Sequence, residues 1–174
     1  MRYFLGLDID AKSKLAIEQW RNKALPHFVG SVPAANFHIT LVFLGQVQAH
    51  QLEDLTARID EIAKPKIDLH LDSLGYWSKP KILFLGATAT SQGLIQLANQ
   101  LGTAANGSGL NVRQGIYIPH LTLVRKVKDN PPNALISPSF RCQFSHMHLF
   151  ESVSTKTGVR YPIRATWILN EGKN

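Results

Sequence analysis

With 174 residues, 44% hydrophobic and 18% charged, the chain has the apolar content of an ordinary globular domain, and extensive disorder is excluded. Its one cysteine, Cys142, excludes an intramolecular disulfide and a zinc site built on several cysteines, which fits a reducing compartment. Lys and Arg number 19 against 12 Asp and Glu, and the resulting +7 favours an anionic partner such as nucleic acid or a phosphorylated small molecule.

The N-terminal MRYFLGLDID reaches Asp8 too early for a signal-peptide core. No apolar run approaches the ~20 residues of a membrane helix, so the expected location is cytoplasmic, with no membrane partner. A strand is expected over 3–9. DAKSKLAIEQWRNKAL (10–25) reads as a helix capped by Asp10, with Leu15, Ile17, Trp20 and Ala24 as apolar positions and Pro26 as its stop. A second strand is expected over 36–45, closed by Gly45. AHQLEDLTARIDEIA (49–63) spaces Leu52, Leu55, Ile59 and Ile62 as an amphipathic helix, stopped by Pro65.

Ile67, Leu69 and Leu71 alternate with polar residues as a half-buried strand does. Tyr76–Pro80 reads as a turn and KILFLGA as a strand, so 66–87 is expected to be a hairpin. A third helix, capped by Ser91, carries Leu94, Leu97, Leu101 and Ala104 on one face and ends at Gly107 and Gly109. A strand over about 116–126, a proline-rich loop (DNPPNALISPS) and a closing hairpin of 141–151 with 159–169 complete the reading. Helices interspersed with hairpins predict an α+β fold, with largely antiparallel sheets and helices outside them.

One repeat stands out. FHITLV at 37–42 returns as PHLTLV at 119–124, aligning His38 with His120, Thr40 with Thr122 and Leu41 with Leu123, 82 residues apart. In a strand, residues i and i+2 leave the same face, so His38 with Thr40, and His120 with Thr122, form polar pairs opposite apolar neighbours. Duplicated halves packed about a pseudo-two-fold axis would bring both pairs to one cleft. Displacement at phosphorus by water needs a base for the nucleophile and an acid for the leaving oxygen. Two imidazoles with a reference pKa of ~6.5 suit both roles. The threonine hydroxyls can donate to non-bridging phosphate oxygens, and Arg125 can stabilise phosphate charge. This scheme needs neither metal nor cofactor.

Paired H-x-T-L motifs half a chain apart resemble the 2H phosphoesterase superfamily. HITLVFLG and YIPHLTLVRK are similar to its RNA 2′,3′-cyclic phosphodiesterase branch, the LigT-like or 2′-5′ RNA ligase family. RYFLGLDID, YWSKPKILFLG and the closing hairpin fall where that branch has comparable segments. The resemblance implies one domain over 1–174, as a bilobal duplicated α+β fold of two mostly antiparallel sheets with outer helices and a central cleft. It implies opening of an RNA 2′,3′-cyclic phosphate end to a 2′-phosphomonoester, with reverse 2′-5′ ligation by the same groups. It makes His38 the proton donor, His120 the proton acceptor, and Thr40, Thr122 and Arg125 the phosphate contacts.

Blander readings stand beside these. Strand propensity alone accounts for threonine, and Arg125 reads equally as a solvated strand-end charge. His146 and His148 share a strand face but lack the threonine and the repeat, so an exposed strand face is expected there, and His27, His50 and His70 read as surface residues. Phe43 follows His38 at an odd offset, which by strict alternation points it away from His38 and into the core, with base stacking open to it only if the strand bends near Gly45; Tyr117 has the same offset problem relative to His120. Trp77 at the turn tip is a base-stacking candidate or a core cover, and Lys79, Lys81, Lys126 and Lys128 form either a basic rim for RNA or scattered solubilising charge. Two other functions remain open: hydrolysis of small cyclic nucleotides such as ADP-ribose 1″,2″-cyclic phosphate, and non-catalytic RNA binding. A monomer with no obligatory protein partner is expected.

Overall fold

The computed structural model describes residues 1–170 of the chain. Within them, ten strands and three α-helices run in the order β1 (Arg2–Asp8), α1 (Ala11–Ala24), β2 (His38–Gln46), α2 (Ala49–Asp60), β3 (Ile67–Leu71), β4 (Ser73–Trp77), β5 (Ile82–Gly86), α3 (Gln92–Gly107), β6 (His120–Val124), β7 (Phe140–Phe144), β8 (His146–Thr155), β9 (Gly158–Arg160) and β10 (Ile163–Ile168). The pairings among these strands are all antiparallel, as the α+β reading expects. None of the described helices is long and apolar enough to cross a membrane.

The helices begin where their caps place them. The Asp10 carboxylate accepts from the Ser13 amide at 2.8 Å, and the Ser91 hydroxyl from the Leu94 amide at 3.2 Å. In α1 the buried set is Ile17, Trp20, Arg21 and Ala24, whereas Leu15 is 54% exposed. That set follows the i, i+3, i+4, i+7 stripe, which passes through Arg21 and leaves Leu15 to one side.

The strands form three sheets rather than the two expected. The largest has the order β10-β8-β1-β2 with β9 on β8, the second is β4-β5-β6, and the third is β3-β7. The expected 66–87 hairpin is therefore split. Only β4 and β5 pair as a hairpin, and Tyr76 and Trp77 lie in β4 rather than in its turn. The switch falls at Asp72, whose amide still bonds the Gly86 carbonyl at 3.0 Å while its carboxylate accepts from the Thr88 amide and hydroxyl. Upstream of it β3 turns to β7, burying Ile67, Leu69 and Leu71. The 141–151 strand also divides, since its first part, β7, pairs with β3 and its second part, β8, joins the large sheet.

Each repeated motif belongs to a strand–helix–strand unit whose two strands pair directly. β1 and β2 flank α1, with Asp8 opposite His38 and Gly6 opposite Thr40. β5 and β6 flank α3, with Gly86 opposite His120 and Phe84 opposite Thr122. β2 and β6 lie against each other at the meeting of the two sheets, without a hydrogen-bonded ladder between them.

Arg21 ties these units together. It is 7% exposed, and its Nη1 donates to the carbonyls of Val32 (2.7 Å) and Leu123 (2.9 Å) while its guanidinium lies 5.2 Å from the Phe37 ring centre. A helix of the first unit thereby grips the backbone of the second motif strand. Burial lowers the Arg21 pKa, and the neighbouring Glu18 charge opposes that shift. Replacing Arg21 strips a charged donor from buried carbonyls, which typically costs several kcal/mol. Arg21→Ala is expected to destabilise the protein by about 3 kcal/mol, read as a lower midpoint in urea unfolding at pH 7.

Candidate active site

His38 and His120, Thr40 and Thr122, and Arg125 line a single pocket of about 510 Å³. All five sequence candidates are thus brought together, although they come from the ends of two different sheets. Ile39 and Leu121, the residues between each His and Thr, are fully buried on the opposite side.

A feature hidden from strict alternation extends the repeat. In the β1–β2 ladder Leu5 pairs with Val42 and Gly6 with Thr40, so Leu41 is an extra, bulged residue. In the β5–β6 ladder Leu83 pairs with Val124 and Phe84 with Thr122, so Leu123 is the extra residue. Both bulges fall three residues after the histidine. A bulge reverses which parity faces which side, so the residues five after each histidine, Phe43 and Arg125, return to the pocket. Phe43 accordingly lines the pocket and is 66% exposed, and its core assignment is corrected. A second register shift, around Leu44, follows just before Gly45, whose φ is +69°.

The two rings are held alike. The Nδ1 of His38 lies 2.8 Å from the Asn36 carbonyl oxygen, and that of His120 lies 3.0 Å from the Ile118 carbonyl oxygen. A carbonyl only accepts, so each Nδ1 carries the proton and each neutral ring leaves Nε2 as an acceptor. The Nε2 of His38 faces the Thr40 hydroxyl at 3.0 Å.

Aromatic rings crowd both imidazoles. Phe4 and Tyr161 stand 4.8 and 5.1 Å from His38, and Trp77 and Phe84 stand 4.7 and 5.8 Å from His120. Burial pushes the His38 pKa down to about 4, assisted by the charges of Arg125 and His120 and opposed by the Asn36 carbonyl and Asp8. The His120 pKa is also lowered, first by burial and then by Arg125, against the Ile118 carbonyl. Desolvation disfavours the charged ring in both cases. An anion entering the pocket would reverse the sign, because the protonated form would gain a partner.

Residues the sequence placed less firmly also find positions. Trp77 packs on Phe84 at 4.1 Å and turns its ring edge-on to His120. Tyr117 is held by its hydroxyl, which donates to the Thr40 carbonyl at 2.9 Å and so links the approach to β6 with β2. Tyr161, which the sequence did not single out, lines the pocket beside His38; its weak signal was an aromatic after the β9 turn. His146 and His148 stack at 6.4 Å, with His148 bonded to Thr166, and neither lines this pocket. His70 bonds the Ser139 hydroxyl and lies 3.8 Å from Asp72. Among the described residues no cluster of three or more His, Cys, Asp or Glu is arranged to hold a metal ion.

An NMR titration of the free protein is expected to show the His38 ring titrating near pH 4 and His120 below its ordinary value. Adding inorganic phosphate should move both upward. A His38 ring titrating at its ordinary value or above without phosphate would contradict the burial and charge balance described here.

The model of the 2′-5′ RNA ligase superfamily matches residues 9–156. The chain is 32% identical, over 176 residues, to the RNA 2′,3′-cyclic phosphodiesterase of Escherichia coli (strain K12), covering 98% of this chain and 97% of that protein. It is 24% identical to the RNA 2′,3′-cyclic phosphodiesterase of Methanocaldococcus jannaschii, covering 96% and 100%. The crystal structure of E. coli LigT complexed with 3′-AMP aligns with a TM-score of 0.87 at 32% identity over 98% of both chains. That of TT0787 from Thermus thermophilus, 22% identical with a TM-score of 0.80 over 99% of this chain and 100% of that one, shares the fold. The chain therefore belongs to the 2′-5′ RNA ligase superfamily of 2H phosphoesterases, with RNA 2′,3′-cyclic phosphodiesterases as homologues along its full length.

Proposed function

We propose that the protein hydrolyses RNA 2′,3′-cyclic phosphate ends to 2′-phosphomonoesters by metal-independent acid–base catalysis, on a bilobal duplicated fold whose motif strands face one cleft. The observation that carries this reading is that both His-x-Thr pairs and Arg125 line one pocket. In the step, His120 accepts a proton through Nε2 from a water whose oxygen attacks phosphorus. The P–O3′ bond breaks, and His38 protonates the departing O3′. Thr40, Thr122 and Arg125 hold the non-bridging oxygens as charge builds on them. Two imidazoles meet both proton transfers, so the scheme calls on no ion. The labels of acid and base follow the family resemblance, since both rings have the same Nδ1 restraint. With a 5′-hydroxyl taking the place of the attacking water and O3′ again departing, the same groups would form a 2′-5′ linkage.

A second reading keeps the chemistry and takes small cyclic nucleotides as substrates. A pocket of about 510 Å³ favours it, because that space suits a single nucleotide.

The deciding assay incubates the protein, in EDTA, with a short RNA ending in a 2′,3′-cyclic phosphate and locates the product phosphate. The expected product is the 2′-phosphate, and His38→Ala and His120→Ala should each lose on the order of 10²- to 10⁴-fold in rate. Retained activity in His120→Ala would remove the proposed base. Equal kcat/KM for a cyclic mononucleotide and a longer RNA with the same end would favour the second reading.

The pH profile should carry the burial of the rings. Free-enzyme kcat/KM requires one ring protonated and the other neutral, so it rises through the lower ring pKa and falls through the higher. Both lie below 6.5 in the free pocket. The kcat/KM optimum is therefore expected on the acid side of that value, falling as pH rises. The kcat profile should reach further toward neutrality, because bound phosphate raises both ring pKa values. A flat kcat/KM between about pH 5 and 8 would count against paired histidine catalysis.

A further inference from the structure

The proposed reaction gives the substrate a direction. In an in-line displacement the attacking and leaving oxygens lie on opposite sides of phosphorus. The leaving O3′ stays on the ribose, so the body of the RNA lies on the side of His38, and water enters beside His120. The continuation of the strand must therefore leave the pocket past the surroundings of His38.

A second groove, of about 970 Å³, begins there. Tyr161, whose ring stands 5.1 Å from that of His38, lines both the groove and the pocket, and so does Arg125. One wall is the loop 26–33, another is 124–132, and the turn 157–161 closes the side. Arg125, Lys126 and Lys128 line it against a single acidic residue, Asp129. Lys126 and Lys128 are exposed, and the facing Val29 is fully exposed at 102%. The groove therefore combines cations with uncovered apolar surface, as single-stranded nucleic acid requires.

Its floor is fixed by backbone contacts. The Arg125 amide donates to the Gly30 carbonyl at 2.9 Å, and the Val32 amide donates to that of Leu123 at 2.8 Å. A Cβ at Gly30 would lie 2.0 Å from the Arg125 carbonyl oxygen, so only glycine permits this approach. The Lys126 backbone, at φ +59°, turns away directly after Arg125.

Resting on the proposed function, we infer that this groove holds the RNA strand immediately 5′ of the cyclic phosphate, with backbone phosphates at Lys126 and Lys128 and bases against Phe28 and Val29. Continuity with the pocket and complementary charge select single-stranded RNA as the occupant. A neighbouring pocket of about 420 Å³ shares Thr40, Phe43, Trp77 and His120 with the catalytic one and is lined by neither Lys126 nor Lys128.

The test compares binding of a hexaribonucleotide carrying a terminal 2′-phosphate with binding of the matching nucleoside 2′-phosphate, neither of which is turned over. The wild-type protein should bind the hexamer more tightly. Lys126→Gln/Lys128→Gln should weaken hexamer binding by about tenfold and reduce the slope of log K against log salt by ~1.4, at ~0.7 for each phosphate that is no longer neutralised. It should leave the mononucleotide affinity, and kcat/KM for a cyclic mononucleotide, unchanged. Lys79→Gln/Lys81→Gln, which removes equal charge from residues outside the groove, should leave hexamer binding unchanged. Equal weakening by the two double variants, or no weakening by the first, overturns the groove. Failure of the wild-type protein to open the 2′,3′-cyclic phosphate of a short RNA would instead strike the proposed reaction, and the hexamer comparison would still decide where RNA lies.

Discussion

The site depends on one backbone irregularity made twice. A regular strand exposes every second residue on a face, so a His-x-Thr pair would be followed on its own side only by even offsets. The bulges at Leu41 and Leu123 change the parity while both leucines stay buried. In the first strand this brings forward Phe43, an aromatic with most of its surface uncovered. In the second it brings forward Arg125, a permanent cation. The two halves thus share a frame and differ in what the fifth position presents.

The imidazoles are set by what surrounds them rather than by a charge partner. Each is fixed at Nδ1 by a carbonyl two residues upstream and enclosed by aromatic rings, with Arg125 near enough to oppose protonation of both. In the proposed mechanism, a phosphate bound between the rings would supply the missing counter-charge and so separate the free and bound protonation states. That difference would make the substrate itself responsible for charging the acid.

Holding two sheets in this relation takes polar as well as apolar contacts. β2 and β6 share no ladder, so their spacing is set by side chains and loops around them. Arg21 reaches from α1 to the Leu123 carbonyl, Tyr117 reaches to the Thr40 carbonyl, and the 30–32 segment bonds the backbone of Leu123 and Arg125. All three contacts end on a motif strand or the residue that follows it. Each ends on a backbone carbonyl or amide of these segments, so positioning and hydrogen-bond satisfaction are met together.

The sequence by itself determined the family, the three helices with the caps of the first and third, and the repeat of two His-x-Thr motifs. These rest on local periodicity, on capping chemistry and on a repeat, all carried by neighbouring residues. Only the tertiary structure decided the partners of β3 and β7, the number of sheets, the burial of Arg21 and the pocket-facing position of Phe43. A strand's residues encode which face is apolar but not which distant edge will cover it, so 67–71 read naturally as one arm of a hairpin. A bulge leaves no mark in composition, because it arises from a mismatch between two ladder strands that lie far apart in the chain. Arg21 sat on the right helical stripe but was passed over as a charge, since the carbonyls that make its burial favourable come from Val32 and from Leu123, far along the chain.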